Sequence, residues 1–576
     1  MYGARIYDQK YRPDTLGRIQ AVNWQKKILT TSSSVSRIRQ KQKLHKGQST
    51  VTDIKSHLGF HIVSIAALAL VAGFLIQALT PYGSATSPDS ISYLDIGFNL
   101  RGGQGLVTTN LSFDDTGTNS YSPQRIWPPA YPALLSVLIK SPFDVERVRF
   151  LSGILLLISG ILILMILRTG EVDWLVSLLI ATLVLLTLPM VLVYTYVWSE
   201  TLFIPILLGM VLVIFRYLRL GSDRVLRKSI LIGLFVVLSL ALVLTRYIGV
   251  AMILLFPLIY ALSNRDRPDR IIIFSGLLTH AVLVTLFLAD NYQVTGSISG
   301  GTRSPSSLSL EDNLQHMAEA FSTLFPTSLI GFGLGIVLSW AVLSGIVAAR
   351  GSWAGDSQLG LRLKYVLILV SVATLYLGAL VVMRTHSSFD QIDVRLIAPA
   401  VPIIVLGLAI FPALTASRVT FLSVGFVSLS LVFMLAIKGL DGVTNAKINW
   451  EKSGTPALPM RGEIRFNNFS AGSQGRGDAE FLRSLVAPEG YLFIERPLIW
   501  RFLTQRHTFS RPSTLTSEII GRLNEMPEGS IIVVSPTQAQ EMESMIEVIG
   551  LEMKTVNLGG LVGVRLPFSG KGHVLE

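Results

Sequence analysis

Apolar runs of about twenty residues, each long enough to cross a bilayer as a helix, recur along most of this chain, separated by short polar or basic stretches. The pattern predicts spans near 58–80, 146–168, 174–194, 199–217, 229–246, 248–263, 271–289, 327–349, 365–383, 396–413 and 419–438, eleven in all. Two of the intervening segments are long, 81–145 and 290–326. After about 440 the pattern changes. Alternating or short apolar runs at Tyr491 to Glu495, Ser530 to Ser535, Leu551 to Val556 and Leu561 to Leu566 predict strands. Glu518 to Met526 and Gln538 to Ile549 predict helices, so 441–576 reads as a small α/β domain. The expected fold class is therefore an α-helical polytopic membrane protein carrying a C-terminal α/β domain.

The charges orient this array. Residues 1–57 hold twelve Lys or Arg and three Asp, which reads as a basic cytoplasmic tail obeying the positive-inside rule and touching anionic lipid. With the N-terminus inside, the inner loops carry Arg216, Arg219, Arg224, Arg227 and Lys228, then Arg265, Arg267 and Arg270, then Arg350, Arg362 and Lys364, and finally Arg418. Before the C-terminal domain, the outer segments other than 81–145 have only Arg246, Arg303, Arg384 and Arg395. The alternation predicts an odd number of spans and an extracytoplasmic C-terminal domain. No small-residue cleavage site follows the first apolar run, which is expected to be a retained span.

Composition narrows the function classes. Of 576 residues, 50% are hydrophobic and 15% charged, against about 25% charged in an ordinary soluble protein, and the mean hydropathy is +0.54. There is no cysteine, which removes disulfides and thiolate chemistry without choosing a compartment. The net charge of +12 comes with no zinc, helix-turn-helix or RNA-binding pattern, so no nucleic-acid partner is expected. No P-loop, paired GxGxxG or zinc-ligand spacing occurs.

The polar residues expected at outer span ends are Asp89, Asp95, Glu200, Arg246, Asp290, Arg384, His386, Asp390, Asp393 and Arg395. Acids in or beside a membrane are costly to desolvate and mark function by default. Acids and arginines meeting on one face suit an anionic lipid headgroup and a polar acceptor. A carboxylate can take the proton of an acceptor hydroxyl, and a guanidinium can hold a departing phosphate. A structural role competes at each position: for Asp89 a helix N-cap, for Asp95 a solvated loop acid, for Arg246 and Arg395 interfacial snorkelling.

Around these residues the first long loop reads Ser87-Pro-Asp89-Ser-Ile-Ser-Tyr93-Leu-Asp95, then Gly102-Gly103-Gln104-Gly105, then Trp127-Pro-Pro-Ala-Tyr131-Pro132. The Pro-Pro pair is expected to start a short helix lying in the membrane interface. This order, with Thr245-Arg246-Tyr-Ile-Gly249, Ser199-Glu200 and Asp393-Val-Arg395 downstream, resembles the GT-C superfamily of membrane glycosyltransferases, in the bacterial branch of protein mannosyltransferase-like and aminoarabinose transferase-like enzymes. The resemblance covers roughly 58–440. It implies a GT-C-like catalytic domain there and transfer of a monosaccharide from a polyprenyl-phosphate donor to a glycan, lipid or protein acceptor at the outer face of a bacterial plasma membrane. It implies Asp89 as catalytic base and Arg246 and Arg395 as donor-phosphate ligands. Tyr93, Asp95, Trp127, Tyr131, Glu200 and His386 are the further candidates for substrate contact or loop positioning. Family variants that pair two acids in the first loop differ here, where Ser90 follows Asp89. No divalent metal and no cofactor beyond the donor lipid is therefore expected. The rival reading is a transporter or flippase of lipid-linked glycans, which would use the same residues as a pathway. It is disfavoured by charges gathered at one face and by the lack of related halves.

Overall fold

A computed structural model describes residues 59–60, 62–80, 83–109, 121–141, 144–221, 224–263, 266–301, 303–324, 358–411 and 429–444, together with short pieces between 483 and 565. The chain divides into two units, Met1–Ala67 and Leu68–Glu576. The basic tail lies outside the described residues.

Six helices are long and apolar enough to cross a membrane, or seven if a bent pair is one span. They are α1 (Ile62–Leu79), α4 (Val145–Thr169), α7 (Glu200–Arg219), α8 (Val225–Thr245), α10 (Arg267–Thr295) and the helix ending at His386 (Gln358–His386). The bent pair is α5 (Trp174–Leu185) and α6 (Leu188–Thr195), which meet at 56°. The sequence pattern predicts a single span there, near 174–194. Pro189 explains the bend, since its ring would strike the carbonyl four residues back and it donates no hydrogen bond.

The span expected at 248–263 takes an unusual form. Tyr247–Leu254 is a 3₁₀ helix, followed by α9 (Leu255–Leu262). Eight 3₁₀ residues rise about 16 Å and eight α residues about 12 Å, so this short segment reaches nearly the thickness of a hydrocarbon core. The segment expected at 396–413 opens with the single turn Val394–Ile397, passes Pro399 and continues as Ala400–Ile410. The span expected at 327–349, and the first half of that expected at 419–438, lie outside the described residues.

Burial separates the helices into inner and outer members. Along α7, 72% of the apolar window is buried, against 22% along α10. The exposed stripe of α10 is Ile271, Phe274, Leu278, Val282 and Leu286, one helical face at spacings of three and four. Water penalises such a stripe and lipid does not. The same helices carry charge pairs at one end. Glu171, between α4 and α5, accepts from Arg362 at 2.8 Å and faces Arg219 at 3.9 Å. Buried Lys228 donates to Asp269 at 2.7 Å. These residues come from the segments expected inside, while Glu200 opens the opposite end of α7, about 30 Å from Arg219 by helical rise.

The first long loop is folded. It contains α2 (Pro88–Arg101), a hairpin of β1 (Val107–Thr109) and β2 (Tyr121–Pro123), and α3 (Ala130–Leu138). Gly103 and Gly105 turn the chain out of α2 with φ of 78° and 86°, values that favour glycine. Gly97 lets α2 lie against α3, because a Cβ there would sit 3.1 Å from the Pro132 carbonyl.

The second long loop contains α11 (Leu310–Ser322), where the apolar pattern predicts no element. Its signal was the capping box Ser309-Leu-Glu-Asp312, in which each side chain bonds the other residue's backbone N–H. In the C-terminal region the strands β3 (Tyr491–Ile494), β4 (His507–Ser510), β5 (Ile531–Val534), β6 (Lys554–Asn557) and β7 (Val562–Arg565) form a five-stranded sheet of order β4-β3-β5-β7-β6. β4, β3 and β5 run parallel, while β7 pairs antiparallel with β5 and β6. β4 was missed in the sequence reading, because His507-Thr-Phe-Ser510 is too polar and too short to stand out.

Candidate functional site

Asp89 reaches the site through its helix. Ser87 caps α2, with its hydroxyl accepting from the Ser90 N–H at 3.4 Å, and Pro88 supplies a fixed φ at the first turn. Asp89 therefore sits in the first turn and is not the cap. The loop before α2 is tied down by backbone bonds from Ala85 N to Thr195 O at 2.9 Å and from Val197 N to Ala85 O at 3.0 Å. The Trp198 indole N–H also donates to Ser87 Oγ at 2.8 Å. These ties set the first turn of α2 beside the first turn of α7.

Glu200, in that turn of α7, is fully buried. Its Oε1 accepts from Arg395 Nε at 2.8 Å and also pairs with Arg246 Nη1. Arg395 uses its other edge on Asp89, with Nη2 to Oδ2 at 2.7 Å, and approaches Asp390 at 3.4 Å. Its guanidinium lies 4.2 Å above the Trp198 ring, which is stacked in turn on Tyr196. One planar fork thus joins three carboxylates and an aromatic face. Lysine has no geometry for that.

Arg246 ends α8 with extended backbone, and Gly249 makes the turn feasible. A Cβ on Gly249 would lie 2.5 Å from the Leu242 carbonyl carbon. Ser199 completes the cluster. It accepts from the Tyr93 hydroxyl at 3.0 Å and from Arg246 Nη1 at 3.3 Å, and donates toward Glu200 Oε2 at 3.4 Å. Burial, then the nearby Asp89 charge, pushes the Tyr93 phenol well above its usual range, so Tyr93 acts as a neutral donor. Asp393 caps the turn that carries Arg395, accepting from Leu396 N at 3.0 Å. Burial pushes its carboxyl up to about 6.

Beside this cluster opens a cavity of about 230 Å³. Asp89, Tyr93, Trp127, Arg246 and Arg395 line it, together with Arg303, Phe389 and Asp390. Tyr131 stands one layer back, buried and edge-on to Tyr93 at 5.2 Å. Two further candidates lie elsewhere. Asp95 is buried within the first loop, accepting from Asn99, from Thr108 Oγ1 and from both N and Oγ1 of Thr109, so it clasps α2 to β1 and is not a solvated acid. His386 is exposed at its helix end, 2.9 Å from the Val382 carbonyl, and does not line the cavity. Asp290 pairs with Arg125 at 3.4 Å. Among the described residues no three His, Asp or Glu side chains are grouped to hold a metal ion.

Ser199, Trp198 and Phe389 were missed in the sequence reading as members of the site. The signal for the first two was their position immediately before an acid that opens a span. Phe389 gave none.

No protein-family model and no curated protein sequence matches the chain. Its structure is similar to that of ArnT from Cupriavidus metallidurans bound to undecaprenyl phosphate, at 13% identity and a TM-score of 0.48, over 89% of this chain and 99% of that one. Similarity to the apo state of that protein is at 14% identity and 0.47, over 90% and 99%. The Archaeoglobus fulgidus oligosaccharyltransferase tethered to an acceptor peptide is similar at 10% identity and 0.42, over 88% of this chain and 74% of that one.

Proposed function

We propose that the chain is an inverting glycosyltransferase of the GT-C type, moving a monosaccharide from a polyprenyl-phosphate donor to an acceptor hydroxyl at the outer face of a bacterial plasma membrane. The observation that carries this reading is the Asp89–Arg395–Glu200–Arg246 chain of ion pairs beside an open cavity. The acceptor oxygen attacks the anomeric carbon from the face opposite the phosphate. The bond from that carbon to the phosphate oxygen breaks, and polyprenyl phosphate leaves with the electron pair. The acceptor proton passes to Asp89. Arg395 holds Oδ2 of Asp89 at 2.7 Å, and the other oxygen, without a hydrogen bond among the described residues, is the one that takes the proton. Arg246 and Arg395 stabilise charge as it collects on the phosphate. One carboxylate suffices for inversion, since the acceptor itself attacks the far side of the ring.

Arg395 gives the test. Arg395→Ala is expected to lower turnover with a polyprenyl-phosphate sugar by about 10²–10³, and Arg395→Lys by less, because charge survives while the fork is lost. Arg227→Ala, an exposed change at the other end of the helices, should leave transfer intact at matched expression. Equal losses at Arg227 and Arg395 would favour a transport pathway across the membrane.

A further inference from the structure

Among the described residues, one cation lining the cavity faces no carboxylate. Arg246 and Arg395 face Asp89, Glu200 and Asp390, two positive charges against three negative. An incoming phosphate meets a cluster that is formally at minus one. Arg303 lines the same cavity and has no carboxylate within ion-pair distance among the described residues. Its guanidinium lies 5.9 Å from the Trp127 ring centroid and 6.0 Å from that of Phe389. Aromatic faces hold a guanidinium while leaving its N–H edges unused. A second arginine, Arg384, stands 5.4 Å from the Phe389 ring. It is buried, donates to Ser306 Oγ at 2.9 Å, leaves its Nε without a partner, and likewise faces no carboxylate among the described residues. Two cations thus lie beside one ring, and neither has a carboxylate partner among the described residues.

The loop is shaped to deliver Arg303 there. Gly296 ends α10 in the left-handed region, and Gly300 repeats that conformation at φ 76°. Gly301 packs on Ile126, where a side chain has no room. Asn291 ties the loop to this framework, donating to the Ile298 carbonyl at 3.4 Å and to the Tyr247 hydroxyl at 3.0 Å, while Tyr247 donates to the Arg125 carbonyl. Gly301 thus sits on Ile126, and the Arg303 side chain reaches the neighbouring Trp127.

We infer that Arg303 is a further phosphate ligand for the donor lipid beside Arg246 and Arg395, supplying positive charge that no carboxylate among the described residues already offsets, with Arg384 behind it. This assignment rests on the glycosyltransferase reading above. The test uses the full chain in nanodiscs and titrates undecaprenyl phosphate, with undecaprenol as the same lipid lacking its phosphate. Arg303→Ala is expected to weaken binding of the phosphate lipid by about 10- to 100-fold, with Arg303→Lys between it and wild type. Binding of undecaprenol should be unchanged by either substitution, which a merely misfolded variant would not achieve. If wild type binds the phosphate lipid and Arg303→Ala binds it equally well, the assignment of Arg303 falls and the donor reading stands. An equal loss for both lipids gives Arg303 a structural role only. Should wild type prefer the phosphate lipid no more than undecaprenol, the donor reading falls together with this one.

Discussion

Asp89→Asn is expected to reduce turnover by about 10²–10⁴ while donor-lipid binding changes little. The amide keeps the shape of the carboxyl and its position in the first turn of α2, but it cannot accept the acceptor proton. The change also removes one of the two 2.7–2.8 Å carboxylate contacts of Arg395, which leaves that arginine anchored by Glu200 and stacked on Trp198. Binding is thus retained and the chemical step is lost. The assay is single-turnover transfer with purified protein, alongside lipid binding. Near-normal turnover in Asp89→Asn would make this residue a structural partner of Arg395.

Glu200→Gln is expected to damage both stability and transfer. Glu200 is the buried anion between two arginines. An amide of equal size leaves the two guanidinium groups facing each other without that charge. Breaking a buried pair from one side costs about 3–5 kcal/mol, because a desolvated charge remains uncompensated. Thermal unfolding in detergent should fall by several degrees, and transfer should fall further than in Arg395→Lys, since both phosphate ligands lose their fixed orientation. A Glu200→Gln protein with unchanged unfolding and transfer would show that Arg246 and Arg395 are held by other contacts.

Much of this arrangement was legible in the sequence. Apolar run length located six helices, and the alternation of basic loops placed Arg219 and Arg362 at one end, where both meet Glu171, and Glu200, Arg246 and Arg395 at the other. Spacing alone could not show that Arg395 bonds Asp89, 306 residues away, because the contact depends on the packing of α2, α7 and the Asp393 turn. Asp95 stands six residues from Asp89 in similar surroundings, and only the hairpin folded over it shows that its oxygens are already occupied. Arg303 was read as one basic residue in a polar loop. Its place beside Trp127 depends on glycine conformations at Gly296 and Gly300 that a composition-based reading passes over.

The central claim is that this cavity receives a polyprenyl-phosphate sugar. Mass spectrometry of lipid extracted from the purified full-length protein tests it most directly. The account predicts a polyprenyl phosphate, free or glycosylated, in near-stoichiometric amount with wild type and with Asp89→Asn, and its depletion from Arg395→Ala. Absence of any polyprenyl lipid from wild type, or equal amounts in wild type and Arg395→Ala, would contradict it.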